Sequence, residues 1–268
     1  MPADLRPLLD HLSPWLMVFF RLTGVFVLAP VLGSSTVPRI VKALLALGLS
    51  FCVYPVLLEP GTNAASMVGP MVGAEWSMWS LVPAIGRELL VGFAIGYAAS
   101  LPLMAMQVAG HMIGQQMGLA FATIVNPVFN DQASIVDQVF FILGLTIFVI
   151  LGGHHMIFAA VVASFQNIPL GGFDQIGALL DLVLGLIMVM FDTALRIAAP
   201  MLCLVFLVTA VMGFIARTVP QMNILSVGFA IRIMSAGLFL VIFMKAGGEI
   251  FVNTLEETFH TIMNFFGP

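Results

Sequence analysis

Six ionisable side chains stand in or beside long apolar runs: Arg21, Arg87, Glu88, Asp192, Arg196 and Arg232. A charge at the middle of a membrane helix costs about 2.5–3.5 kcal/mol on insertion scales, so such residues are kept only where they are paired or used. Asp192 and Arg196 are four apart with the acid first. That spacing lets helical neighbours meet, and they read as a local ion pair. Arg87 and Glu88 are adjacent. They stand about 100° apart around a helix, so each needs a partner on another element. Two chemistries are open to this set: a proton or ion path, or ion pairing between helices. The second is favoured, because a coupled transporter gathers acids near the midplane and the sequence shows no such cluster.

Other reactive residues give little. His154 and His155 follow a glycine pair but belong to no HxxxH or HExxH pattern. They read as residues capping or lining a packed interface. Cys52 and Cys203 form no CxxC pair. They are expected to be two buried thiols packing as small apolar groups. Nucleophile elbows, phosphate loops and dinucleotide glycine fingerprints are absent. The expectation is a protein without catalytic residues, metal or cofactor.

The most informative local pattern is AGHMIGQQMG, in which Gly110, Gly114 and Gly118 recur every four residues. Steps of four put all three on one helix face. Gly92 and Gly96 form a shorter version, read as plain helix packing. Small residues at this spacing let two backbones approach closely. The longer stripe also carries His111, Gln115 and Gln116, whose polar groups want partners. It carries Met112 and Met117 as well, and methionine fills irregular gaps and repacks easily. A loop or short helix lining a pathway, acting as a deformable seal, fits this mixture.

These residues must be positioned by apolar helices. Of 268 residues 61% are hydrophobic and only 8% charged, against about 25% charged in ordinary soluble domains. The mean hydropathy is +1.12. Lipid or neighbouring subunits must therefore cover much of the surface. The net charge of −4 disfavours nucleic acid as a partner. The opening MPADLRPLLDHL is a poor signal-peptide start, so the first apolar run is expected to be mature protein.

A bilayer crossing by a helix needs about 20 apolar residues. Apolar runs at 14–32, 40–58, 81–103, 136–165, 179–214 and 224–244 meet that requirement. A polar Gly/Pro-rich loop is expected at 59–73. The tail at 249–266 spaces Phe251, Leu255, Phe259, Ile262, Met263 and Phe266 at three- and four-residue steps. That puts them on one face of an amphipathic helix. Its other face is acidic, which points to packing on a partner rather than on a membrane surface. No run alternates with period two, so the fold class is all-α: an integral membrane protein of long apolar helices and hairpins. Arg39 and Lys42 mark the first loop as cytoplasmic, placing the N-terminus outside; the C-terminus is expected to be cytoplasmic.

The ordered set Arg21-x-x-Gly24, GSSTVP at 33–38, ELLVG at 88–92, AGHMIGQQMG at 109–118, Asn126-Pro127, SFQNIPLG at 164–171, Ala199-Pro200 and GFIARTVPQMNIL at 213–225 resembles the FliR family of type III export gate proteins, nearly end to end. The sequence departs from the family at Asn126, where an acid is common, and at Ala230 and Arg232, where proline and lysine are usual. The GQQMG and ARTVPQMN wording is closer to the flagellar branch than to the injectisome branch.

The resemblance implies a non-enzymatic, pore-forming subunit in the bacterial inner membrane at the flagellar basal body. It implies assembly with FliP and FliQ, contact with FlhB and FlhA, and passage of unfolded flagellar proteins through a channel the chain helps to close. It further implies a FliP-like part at 1–178, with a plug loop at about 106–130, and a FliQ-like hairpin at 179–268 with its amphipathic tail. Gly110, Met112, Gly114, Met117, Gly118 and Phe121 would line or seal the channel. The rival expectations are an injectisome export gate subunit and a small-solute or proton secondary transporter using Arg87, Glu88 and Asp192.

Overall fold

The computed structural model describes residues 10–34, 37–59, 63–68, 72, 78–118, 135–173, 175–219 and 224–266. Its elements are α1 (Leu12–Leu28), α2 (Arg39–Leu57), α3 (Asn63–Val68), α4 (Met78–Gln116), α5 (Ile135–Ile150), α6 (Gly153–Asn167), α7 (Ile176–Thr218) and α8 (Ile224–Phe266). Among the described residues there is no strand. The protein is an all-α integral membrane protein: α2, α4, α7 and α8 are each long and apolar enough to cross a bilayer, and α5 with α6 forms a fifth, broken candidate. Helices α7 and α8 have 43 residues each. Each therefore extends about 65 Å, roughly twice a hydrocarbon core.

The chain divides into two compact units. The first comprises Met1–Leu101, Gly152–Leu186 and Glu257–Pro268. In it, α1 packs on α2 through His11 Nδ1 and Tyr54 Oη at 2.8 Å and through the Trp15 and Phe51 rings, 4.9 Å between centroids. On its other side α1 meets α4 at glycines. A Cβ on Gly92 would overlap the Arg21 carbonyl, and one on Gly24 or Gly96 would come within 2.7 Å of the carbonyl of Leu89 or Val25. Only hydrogen fits at this crossing, which is the backbone approach that small residues allow.

The second unit comprises Pro102–Leu151 and Ile187–Glu256. Here α5 lies against α4 through Gly110 and Gly144, whose added Cβ atoms would meet Asp137 Cα at 2.9 Å and Met106 Cγ at 3.0 Å. Helices α7 and α8 run antiparallel: Thr193 faces Thr254, with hydroxyls 3.2 Å apart, and Arg232 reaches Thr209 further along.

Several expectations change. The glycine-striped segment is not a loop up to Gln116; it is the last turns of α4, and Phe121 lies outside the described residues. The hydrophobic run across this segment outweighs the helix cost of glycine once the glycines are packed. The run at 136–165 breaks at Gly152, which takes φ 72°. Glycine adopts this left-handed conformation without a side-chain penalty. The expected loop at 59–73 contains α3. The tail is continuous with the preceding apolar run as α8. Its apolar residues Phe251, Leu255, Phe259, Ile262 and Phe266 are buried in this chain itself rather than left for a partner. Cys52 and Cys203 are exposed, because each points out from a helix whose outer face the chain does not cover. Asp192 and Arg196 are likewise exposed, so theirs is not a buried charge pair.

Candidate functional site

Two clusters organise the charges and the glycine stripe, one in each unit. In the first, Arg21 on α1 and Glu88 on α4 are fully buried. Arg21 Nε donates to Glu88 Oε2 at 2.5 Å, and its NH2 donates to Oε1 at 3.2 Å. This is the bidentate fork that makes arginine–carboxylate pairs strong. The remaining donors are absorbed by the segment that begins at Ser164. NH1 donates to Ser164 Oγ at 3.1 Å, and NH2 reaches the Ile168 carbonyl at 3.5 Å. The guanidinium carbon lies 4.3 Å from the centroid of the Phe165 ring, a cation–π contact. Glu88 Oε1 also accepts from the Gly171 amide at 2.7 Å, and Arg87 NH1 donates to the Gly171 carbonyl at 3.0 Å. Both charges are saturated by fixed partners, which is the condition under which a buried pair is tolerated in a low-dielectric interior. Chemically this is a pin. Neither Glu88 oxygen is left facing a path, and the SFQNIPLG stretch supplies its third wall.

The second cluster is at the foot of the 119–134 segment. Gly110 is pressed against α5 at Val136, Asp137 and Phe140. One residue on, His111 Nδ1 lies 3.0 Å from Asp137 Oδ2, and Gln115 Nε2 lies 2.8 Å from His111 Nε2. Asp137 is buried, with 7% of its side chain exposed, while the His111 ring is half exposed at 51%. The helix then stops at Gly118, which takes φ 82°. A left-handed glycine is a common helix terminator, and here the Gly118 amide donates to the Gln115 carbonyl at 3.0 Å. Gly110, Gly114, Met117 and Gly118 are buried and Met112 is partly buried. The glycine-faced end of α4 is therefore held against the start of α5 at the two ends of the intervening segment.

The other charges lie apart from both clusters. Asp192 and Arg196 pair at 2.7 Å on an exposed face of α7. Arg232 on α8 donates to the Thr209 hydroxyl at 3.2 Å, and its Nε is buried without a hydrogen-bond partner among the described residues. The His154 and His155 rings lie 4.1 Å apart between centroids, tilted by 41°, on the exposed start of α6. No group of three His, Cys, Asp or Glu side chains able to hold a metal occurs among the described residues. Sequence reasoning passes over Asp137 and Ser164. A signal for Asp137 exists: it is an acid in the first turn of an apolar helix, 26 residues from a histidine in the glycine stripe.

The described residues thus combine one saturated buried ion pair, a second polar cluster and broad apolar helix faces that the chain itself leaves uncovered. Residues 12–258 match the family described as Bacterial export proteins, family 1, and the chain belongs to that family. It is 26% identical over 263 residues to the flagellar biosynthetic protein FliR of Bacillus subtilis (strain 168), covering 97% of each chain. It is 28% identical over 255 residues to FliR of Escherichia coli (strain K12), covering 93% of this chain and 91% of the relative. Yop proteins translocation protein T of Yersinia pestis is 28% identical over 248 residues, covering 91% of this chain and 89% of the relative.

Proposed function

We propose that the chain is a structural, non-enzymatic subunit of a flagellar type III protein export gate in the bacterial inner membrane. It assembles with FliP and FliQ, contacts FlhB and FlhA, and helps to close the channel taken by unfolded flagellar proteins. The observation that carries this reading is the pairing of a tightly held glycine-faced helix end with an uncovered apolar hairpin in one family member. The last turns of α4 and the residues after Gly118 act as the plug, with Gly110, Met112, Gly114, Met117, Gly118 and Phe121 at the seal. Residues 1–178 form the FliP-like part and 179–268 the FliQ-like hairpin, which holds α8 and all of α7 but its first three residues. The N-terminus is periplasmic and the C-terminus cytoplasmic.

Exposure supports the need for partners. Phe206, Phe214, Met234, Leu238 and Val241 are each at least 70% exposed. Coexpression with FliP-type and FliQ-type proteins should yield one stable complex. Recovery of the chain as a monodisperse species that excludes both partners would refute the proposal. A transporter built on Glu88 finds less support, because Glu88 is occupied by Arg21 and Gly171. The similarity to the Yersinia translocation protein favours, as a second reading, the corresponding injectisome subunit. Restoration of swarming in a strain lacking its FliR-type protein distinguishes the two: the flagellar reading requires it.

A further inference from the structure

The two polar clusters differ in the permanence of their charge. Arginine stays charged in proteins, whereas histidine changes its charge between about pH 5 and 8. Helices α4 and α5 run antiparallel, tied by Met106 against Gly144 and by Gly110 against Val136, Asp137 and Phe140. The bare Gly110 brings the backbones together, and the next side chain, His111, falls 3.0 Å from the Asp137 carboxylate. This contact joins the helices on either side of the 119–134 segment. The Gln115 amide nitrogen stands 2.8 Å from His111 Nε2. An amide nitrogen only donates, so Nε2 accepts, and Nδ1 carries the hydrogen given to Asp137: the ring is held as neutral imidazole. Its 51% exposure leaves it open to protons from solvent. A proton taken from solvent sits on Nε2. Gln115, which is exposed, accommodates it by turning its amide end for end, so that its carbonyl accepts. His111 then meets the Asp137 carboxylate as a full cation.

We propose that the His111–Asp137 contact is a proton-operated clasp at the foot of the 119–134 segment, tightened when His111 is protonated and loosened when it is not. A buried carboxylate gains more from a cation than from a neutral donor. The α4–α5 junction is therefore most stable below the histidine range and loosens as pH rises through it. No rival charge stands on the same two helices: α4 has no acid or base after Glu88 other than His111, and α5 has none other than Asp137. From α8, Lys245 and Glu249 face α5 at Leu143 and Ile147, at least about 9 Å further along the helix. Their opposite charges largely cancel at Asp137. Asp131, the one charged residue between Gly118 and Ile135, lies outside the described residues. The effect of the clasp on export rests on the seal proposed above; the contact itself does not.

The test is amide hydrogen exchange of the full chain in detergent at about pH 8 and about pH 5, the two ends of the histidine range. Each rate is divided by the intrinsic rate of that amide at that pH, which leaves the local opening equilibrium. Protection of residues 112–118 should rise about three- to fivefold on acidification, the yield of a partly exposed ion pair. Protection around Arg21 should not change. His111→Asn keeps a donor near Nδ1 but cannot titrate, and it should abolish the rise. Its ring is half exposed, so the replacement spares the fold, and circular dichroism matching wild type establishes this. Asp137→Asn should abolish the rise as well, whereas Asp131→Asn should preserve it. Protection of residues 112–118 that ignores pH in the wild-type chain, or a rise that survives in His111→Asn, overturns the proposal. Conductance is not read, so failure of the seal leaves this result intact.

Discussion

Helices α4 and α8 are similar in length and composition, yet the chain treats them oppositely. Of the most apolar eighteen-residue stretch of α4, 72% is buried within the protein; for α8 the figure is 6%. Their mean hydropathies there, 1.8 and 2.2, do not distinguish them. What separates them is what lies along each helix. On α4 are Glu88, Gly92, Gly96 and Gly110, each answered by a specific neighbour within its own unit. On α8, between Ile231 and Met244, the outward positions are large and unanswered: Met234, Leu238, Val241 and Ile242 are 65–74% exposed. Glycine contacts and a saturated ion pair mark what the chain finishes alone. A face of large apolar residues in a member of an export family marks what neighbours or lipid complete.

Breaking the pin should show the contrast most strongly. Arg21→Ala leaves the Glu88 carboxylate buried without its cation and should cost about 3–5 kcal/mol. The double replacement Arg21→Met with Glu88→Leu should be far milder, because no lone charge remains. Thermal unfolding of the purified chains, or their abundance in the membrane, checks both; equal losses for single and double variants would reduce the pin to simple packing. Next in size, Gly92→Leu must displace the Arg21 backbone. It should cost at or above the roughly 1–3 kcal/mol typical of overpacking. Gly237→Leu, at a position on α8 with nothing within 4 Å of an added Cβ, should be tolerated in the isolated chain.

At the foot of the plug, Asp137→Ala removes the partner of His111 and should cost about 1–3 kcal/mol. Its mark should be local, with faster amide exchange in residues 110–118 and unchanged exchange around Arg21. The smallest effect belongs to Asp192→Asn, which breaks an exposed i,i+4 pair. Exposed helix pairs of this kind contribute only about 0.3–0.5 kcal/mol, and thermal unfolding of the isolated chain should shift no more than that implies. A loss of several kcal/mol in detergent would mean that the pair is buried by something the chain itself provides.

Composition, 61% hydrophobic and 8% charged, made the membrane class legible, and the lack of period-two alternation made it helical. The apolar runs marked most helix cores, but not their ends. Helix α4 runs on to Gln116 because glycines that weaken an isolated helix become contacts once α5 is packed on them. The break at Gly152 was not legible either: a glycine pair inside an apolar run fits a packed helix as well as a left-handed turn. The spacing of Asp192 and Arg196 pointed to their pairing, since it is a property of one helix. Arg21 and its partner Glu88 lie 67 residues apart, and Ser164 is 143 from Arg21. No local pattern carries such distances. The tail's periodicity revealed the buried face of α8 but not its recipient, because amphipathicity says that a face is covered and not by what.

Ionic conductance of cells expressing the assembled gate tests the central claim most directly. Gly114→Asp sets a charge on the buried, glycine-faced end of α4, and deletion of residues 119–130 removes the segment that follows it. Both variants should leak small ions across the inner membrane while the complex still assembles. Wild-type conductance in assembled complexes carrying either change would contradict the assignment of this segment as the seal.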